Sequence, residues 1–478
     1  MIEVKSKLQK LDRFVSANNA YLKLRQVLSE DELFLLESLS GSKADKNKVL
    51  VGFNPMLNLI LQNNLLKVTG NDYLSDAVVG EIKSNCELSE VDKNQFKLSS
   101  KAQLLETLRL VESLFDIDYL GSHRGFQFGF FGYIDGGINE AFDQALVSNK
   151  DEVCIDLPNL HLSIYQGLVY SDLVSKSTSL IINQIQGAPC YSRQSIEALL
   201  FDEKEINYSL IDDEKLPEVE NEAILNESHQ LIENVNTIQS SIADGELFQA
   251  FVNQQVSMNT PVAPFDVYQR LCKIAPAPYM YYASFKSFRI IGASPELLMR
   301  LEDDTITMRP VSLGVYKDGS DDALLNKEHL LLVDLCRNDV AKVSTAGSLK
   351  INEYATKESN LNQLRLVSDI SGDCSESHDK YEVLFSMLPP VVLTGAPRAN
   401  AASHLSKIAQ QSYCSGCIGY IDFRNIVQTA LCVRTLIYQD SMYMACASAG
   451  VMANTTEYVV INTLEDSLNP MIKAVKGS

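Results

Sequence analysis

Apolar residues along the chain fall into short alternating runs separated by glycine, proline and charged turns, with a few segments of helical period among them. Period-two alternation predicts strands in FLLES (Phe34–Ser38) and VLVGFNP (Val49–Pro55), joined across a polar turn. It recurs in HLSIYQGLVYSD (His161–Asp172), STSLIINQI (Ser177–Ile185), LFQAFVNQQVSM (Leu247–Met258), APYMYYASF (Ala277–Phe285) and FRIIGASPELLMRLE (Phe288–Glu302). Towards the end, GCIGYIDF (Gly416–Phe423), VQTALCVRTLIY (Val427–Tyr438) and MYMACASAGVM (Met442–Met452) read as an antiparallel meander. In RGFQFGFFGYID (124–135) Phe and Gly alternate, which suits a strand closely approached by another backbone.

Helical period marks Ala20–Leu28, His229–Asp244 closed by Gly245, and a last helix for which Asn454 and Glu457 form an approximate capping box. The most informative helix is 326–343, NKEHLLLVDLCRNDVAKV. Its Glu328, Leu332, Leu335 and Asp339 share one stripe, so carboxylates run in line with apolar residues. A buried ionised Glu328 needs a cation or hydrogen-bond donors, either a metal or ligand or a nearby Arg or Lys at the stripe's edge.

From Phe201 to about Leu225 the sequence turns acidic and loses its rhythm, which predicts a linker and a division into regions 1–225 and 226–478. At 478 residues the chain has room for a large core, and 46% hydrophobic with 21% charged residues places it among globular proteins. The net charge of −20, without a dense Lys/Arg cluster, argues against nucleic acid and anionic membrane surfaces as partners. No apolar run approaches the ~20 residues that span a bilayer. The charged N-terminal stretch MIEVKSKLQKLDRF lacks an export core, so a cytoplasmic location is expected. Ten Cys are scattered, several in apolar contexts (Cys336, Cys432, Cys446), and the one CxxC, Cys414 to Cys417, has no second pair; free buried thiols are expected.

On an ideal strand, Arg434 shares a face with Ala430, Cys432 and Leu436. A guanidinium there wants an anion, held bidentately, from an internal carboxylate or from a ligand. LTGAPR (Leu393–Arg398) enforces a tight turn with a hydroxyl and backbone N–H groups available to an anion, and ASAG (Ala447–Gly450) opens the backbone either to a ligand carboxylate or to close packing.

FLLES, GELFQ (Gly245–Gln249), APAPYM (Ala275–Met280), GASPE (Gly292–Glu296), EHLLLVDLCRND (Glu328–Asp339), TGAPR, GYIDF and RT (Arg434–Thr435) follow in an order that resembles component I of anthranilate synthase. The wider family is the chorismate-utilising enzymes, with aminodeoxychorismate and isochorismate synthases. The resemblance spans nearly the whole chain. It implies a large α/β (α+β) fold, two antiparallel sheets packed as a sandwich with helices outside, chorismate and Mg²⁺ between the sheets, and ammonia from a separate glutamine amidotransferase acting in trans.

On this resemblance, Arg434 and the backbone at Ala449–Gly450 hold a substrate carboxylate, and Thr394 and Thr429 lie in substrate-pocket motifs. Glu296 is the acid that helps a 4-hydroxyl leave, and Glu328 is a magnesium ligand. Gln249 stands where water-using relatives place a base Lys, which suits ammonia. Glu37, Ser38, Pro278, Tyr279 and Met280 resemble a tryptophan feedback site, a likeness that packing alone could also produce.

The departures concentrate in the same blocks. The family's PIAGT is Pro310–Val311–Ser312–Leu313–Gly314 here, its lyase-step His is Arg365, its pocket Tyr is Cys414, and a following pocket Lys is Asp466. Acidic magnesium ligands are replaced by Leu325, Val459 and Asn462, leaving Glu328. One carboxylate and one amide are a poor cradle for Mg²⁺, so altered or absent metal dependence is expected. Two functions fit: an enzyme of aromatic or specialised metabolism that aminates chorismate or a close relative, eliminates pyruvate from it, or both; and a non-catalytic relative that binds a small aromatic acid or tryptophan, or scaffolds an amidotransferase.

Overall fold

The computed structural model describes the chain except residues 42–47, 122–123, 140–141, 143–156, 204–207, 209–215, 218, 220, 226–227, 313–321, 361–362, 408–415 and 478. Much of the acidic segment, and with it Leu313, Gly314 and Cys414, lies outside the described residues.

Strand Leu160–Asp172 is the branch point of the architecture. Its residues 160–172 pair with Lys48–Gln62. From there hydrogen bonding runs through Leu33–Glu37, Tyr279–Phe285, Phe288–Ser294, Thr435–Gln439 and Met442–Val451 to Gln249–Asn259. Its first residues also pair with Gly129–Ile134, from which a second arm runs through Cys417–Asp422, Ile426–Leu431, Leu297–Glu302, Thr305–Arg309 and Gln363–Asp373 to Lys350–Asn360. Strands from before and after residue 225 therefore share one hydrogen-bonded network, antiparallel except for Ile2–Lys10 against Phe115–Leu120.

The arms face one another across an aromatic core in which Phe34 of the first stacks on Phe131 of the second, ring centroids 3.6 Å apart. Alternation fills this layer from both sides with Tyr165, Tyr279, Tyr281, Leu297, Ile418 and Ala430. Opposite faces are covered by helices. Pro264–Ile274 and Glu457–Lys476 pack on the first arm, and the apolar stripe of Asp322–Val343, through Leu332, Cys336 and Val340, packs on the second. The result is the sandwich with outer helices. Among the described residues no helix is long and apolar enough to cross a membrane.

Glycine spacing in GFFGYI has the expected cause: a Cβ at Gly132 would lie 1.8 Å from the His161 carbonyl oxygen of the neighbouring strand. The last helix departs from expectation, because Thr456 rather than Asn454 caps it, accepting from the Val459 amide. Cys336 and Cys432 are free and buried, but Cys446 is disulfide-bonded, since chain spacing cannot show which thiols a fold brings together.

Asp339 on the stripe is satisfied inside the protein: Arg398 of TGAPR pairs with it, and Lys342 lies 3.1 Å away. Asp339→Ala strands Arg398, which also donates to the Ser386 carbonyl. The expected cost is about 2–3 kcal/mol in urea denaturation. A loss below about 0.5 kcal/mol would mean that the pair behaves like a surface bridge.

Candidate active site

Two expected strands break, and each break holds a charged residue. FRIIGASPELLMRLE divides into Phe288–Ser294 and Leu297–Glu302 around Pro295–Glu296. The Ser294 hydroxyl ties the break by donating to the Glu296 carbonyl and accepting from the Glu296 amide, each at 3.2 Å. Glu296 is 1% exposed. Its Oε1 accepts from the Val311 amide at 3.3 Å, and its Oε2 has no hydrogen-bond partner among the described residues. Burial pushes its carboxyl up to about 8, against the pull of the Val311 N–H and the Arg365 guanidinium. A carboxyl in that range is largely protonated at neutral pH and can donate.

The second break corrects the face assigned to Arg434. VQTALCVRTLIY divides into Ile426–Leu431 and Thr435–Gln439, and Arg434 between them has φ +52°, a left-handed conformation rare outside glycine. Ala430 and Cys432 therefore face the inter-sheet core while Leu436 joins the core on the other side. A hydrogen bond from the Ala293 amide to the Arg434 carbonyl, 3.1 Å, holds the turn. Arg434 is 8% exposed; burial and then Arg365 lower its pKa to about 9, opposed by Asp466. It stays cationic at neutral pH.

Gln249 begins strand Gln249–Asn259, fully buried, and neither its Oε1 nor its Nε2 has a hydrogen-bond partner among the described residues. Gly395 and Gly450 make its space: a Cβ on the first would lie 2.3 Å from the Gln249 carbonyl oxygen, and one on the second 2.6 Å from Gln249 Nε2. Ala449 and Gly450 face Val252 and Phe251 across the ladder. Thr429 is buried beside the Cys417 thiol, while the Thr394 hydroxyl already donates to the Pro390 carbonyl at 2.9 Å.

Arg365, 8% exposed, lies opposite Glu358 in the hairpin ladder, and burial lowers its pKa while Glu296 and Glu358 raise it. With Arg309, Glu358, Leu297, Val311 and Tyr279 it lines a cavity of about 380 Å³. Arg309 donates to Glu358 at 3.3 Å. Sequence reasoning missed Arg309 and Glu358, because their place at this wall depends on cross-strand register.

Glu328 is buried and burial raises its carboxyl to about 7. Leu325 beside it is buried and apolar, and Val459 and Asn462 on the last helix are half-buried. Among the described residues no group of three His, Cys, Asp or Glu converges as a metal cradle. This donor set does not fit Mg²⁺, which takes several hard oxygen ligands.

In the feedback-like segment, Glu37 accepts from the Tyr268 hydroxyl at 2.8 Å, Ser38 donates to the Ser40 carbonyl at 3.4 Å, and Met280 is buried in the helix-covered core. Pro278 and Tyr279 line the Arg365 cavity.

The fold and these blocks define a class. The chain belongs to the chorismate binding enzyme family, whose profile matches residues 70–457. Among individual relatives, 2-amino-4-deoxychorismate synthase of Streptomyces globisporus is 28% identical over 477 residues, covering 95% of this chain and 93% of that protein. Anthranilate synthase component 1 of Acetivibrio thermocellus is 25% identical, covering 93% and 90%. The solved anthranilate synthase component I from Streptococcus pneumoniae TIGR4 superimposes with a TM-score of 0.68 at 20% identity over 91% of this chain and 93% of its own. MenF, the menaquinone-specific isochorismate synthase from Escherichia coli, gives 0.65 at 12% identity over 99% and 95%. Both solved structures share the fold.

Proposed function

We propose that the protein is a chorismate-utilising enzyme that adds ammonia to chorismate, or to a close relative, and releases a product that keeps its enolpyruvyl group. Gln249 carries this reading. A carboxamide has no basicity with which to activate water, and this one is buried with neither end partnered among the described residues, as a group that meets ammonia or substrate would be. Protonated Glu296 supplies a proton to the departing 4-hydroxyl, which leaves as water while the nitrogen lone pair forms the new bond to the ring. The amine leaves the site protonated, and Glu296 regains its proton from solvent. Arg365 is a poor base, so it does not take the ring proton whose loss would drive out pyruvate. The 2-amino-4-deoxychorismate synthase named above, covered nearly end to end, supports an amination of this kind. Ammonia would come free or from a separate glutamine amidotransferase, as the resemblance implies.

The test incubates pure protein with chorismate and ammonium and resolves the products by mass, with pyruvate followed by a lactate dehydrogenase assay. The expected product has one hydroxyl exchanged for an amine, and no pyruvate appears. Released pyruvate would overturn the retention of the enolpyruvyl group. Unchanged chorismate that still binds would make the protein a non-catalytic acid-binding relative.

A further inference from the structure

Glu296 is held from two sides. Its backbone is fixed locally by the Ser294 hydroxyl, and the Leu431 amide also donates to its carbonyl at 3.1 Å. Its side chain is held from the segment that follows strand Thr305–Arg309. Pro310, Val311 and Ser312 run beside strand Gln363–Asp373, with Val311 opposite Val367 in an antiparallel bridge. The Ser312 amide donates to the Leu366 carbonyl at 3.0 Å and the Ser368 amide to the Pro310 carbonyl at 3.2 Å. Those bonds make Val311 and Val367 a pair whose own amides point away from each other, so the Val311 N–H is left for Glu296 Oε1, 3.3 Å away.

A regular ladder would continue with the Leu366 amide donating to the backbone carbonyl of residue 312. Here that amide donates to the Ser312 hydroxyl instead, at 2.9 Å. Ser312 and Leu366 are both buried, where an amide left without an acceptor is costly. Removing the hydroxyl therefore makes the segment shift to satisfy the Leu366 N–H, and the Val311 amide shifts with it. Among the described residues that amide is the hydrogen-bond donor to the Glu296 carboxyl. The oxygen of a protonated carboxyl that accepts an N–H is the carbonyl-like one, which leaves the proton on the other. That other oxygen is Oε2, which has no partner among the described residues.

We propose that Ser312 is a positioning residue: by holding the Leu366 amide it keeps the Val311 N–H on Glu296 Oε1, and so keeps the catalytic proton on Oε2, the oxygen that gives it to the departing 4-hydroxyl. The inference rests on the reading of Glu296 as the acid of the amination proposed above. The other groups that act on Glu296, or feel its charge, are the Arg365 guanidinium from strand Gln363–Asp373 and the Cys336 thiol from helix Asp322–Val343. Burial pushes that thiol well up, so it stays neutral throughout the range of interest.

Turnover of chorismate with ammonium, followed against pH in the full-length protein and its variants, tests it. Ser312→Ala is expected to lower kcat about tenfold or more with KM within about twofold, as a displaced acid does. Because the Val311 N–H favours the ionised carboxylate, loosening it moves the alkaline limb of the profile upward, by about half a pH unit or more. Ser312→Thr, which keeps the hydroxyl, is expected to return the limb towards its original place. In a Glu296→Gln background Ser312→Ala should cost less than about twofold, since no acid remains to be positioned. A limb that stays in place in Ser312→Ala, or an equal fall in kcat in the Gln background, overturns the inference while the amination stands. If Ser312→Ala does not fold, Ser312→Cys, similar in size but a weaker acceptor, is expected to move the limb the same way, and an unmoved limb there overturns the inference. An unaltered protein that leaves chorismate unchanged defeats the functional reading, and this inference with it.

Discussion

Arg434→Ala is expected to weaken chorismate binding about a hundredfold, on the order of 3 kcal/mol, while the melting temperature stays within a few degrees. The two effects separate because of what surrounds the side chain. Burial and the neighbouring Arg365 charge both oppose the Arg434 charge, so its removal relieves repulsion as well as depriving Asp466 of a counter-charge. With an acid bound, the same guanidinium would make a charge-assisted, two-pronged contact in a dry setting, where such contacts are strongest. The left-handed turn at φ +52° aims it, and a non-glycine residue held there costs on the order of 1 kcal/mol. Arg434→Lys should therefore recover only part of the affinity. An alanine variant that binds within threefold of the unaltered protein would assign Arg434 to internal pairing with Asp466.

Glu296→Gln is expected to lower turnover about a hundredfold or more, the usual yield of a positioned general acid. In the unaltered protein, turnover should be steady below about pH 8 and decline above it, because the donating form is lost as Glu296 ionises. Stability should follow the same group with a defined sign. Burial raises the folded pKa from 4.5 to about 8, so between those values the folded state holds a proton that the unfolded state has released. The stabilising contribution is complete below pH 4.5 and disappears as pH rises through about 8. At pH 9 the buried charge costs on the order of 4 kcal/mol, which a neutral Gln removes. The variant should thus be nearly inactive yet more heat-resistant than its parent at neutral and alkaline pH, the difference closing as pH falls towards 4.5. A flat pH–rate profile from pH 6 to about 9 would remove Glu296 from the role of acid.

Both residues sit where alternation failed. Reading FRIIGASPELLMRLE and VQTALCVRTLIY as unbroken strands places Glu296 and Arg434 by period two, whereas a Pro-Glu break and a left-handed turn give each its own direction. Such breaks are where local regularity yields to a site. The proline before Glu296 was a legible hint, since proline interrupts a central strand. Nothing comparable announced Arg434, whose conformation is held by the Ala293 amide from a strand more than a hundred residues earlier.

The sequence by itself determined the strands, the helices and the layers they fill, because period and side-chain shape act over a few neighbouring residues. STSLIINQI forms its strand at the expected bounds, and Glu328 and Asp339 are buried as their stripe implies. It also fixed the chemical inventory: a carboxyl at 296, a carboxamide at 249, guanidiniums at 365 and 434, and apolar groups at 325 and 459. Only the tertiary structure decided that Arg398 neutralises Asp339, that Glu358 and Arg309 share a wall with Arg365, and that the charge of Arg365 acts on both Glu296 and Arg434. Those relations join segments far apart in the chain and depend on cross-strand register. The proton affinity of each group is set by how much water the packed surroundings exclude, and no stretch of sequence contains that quantity.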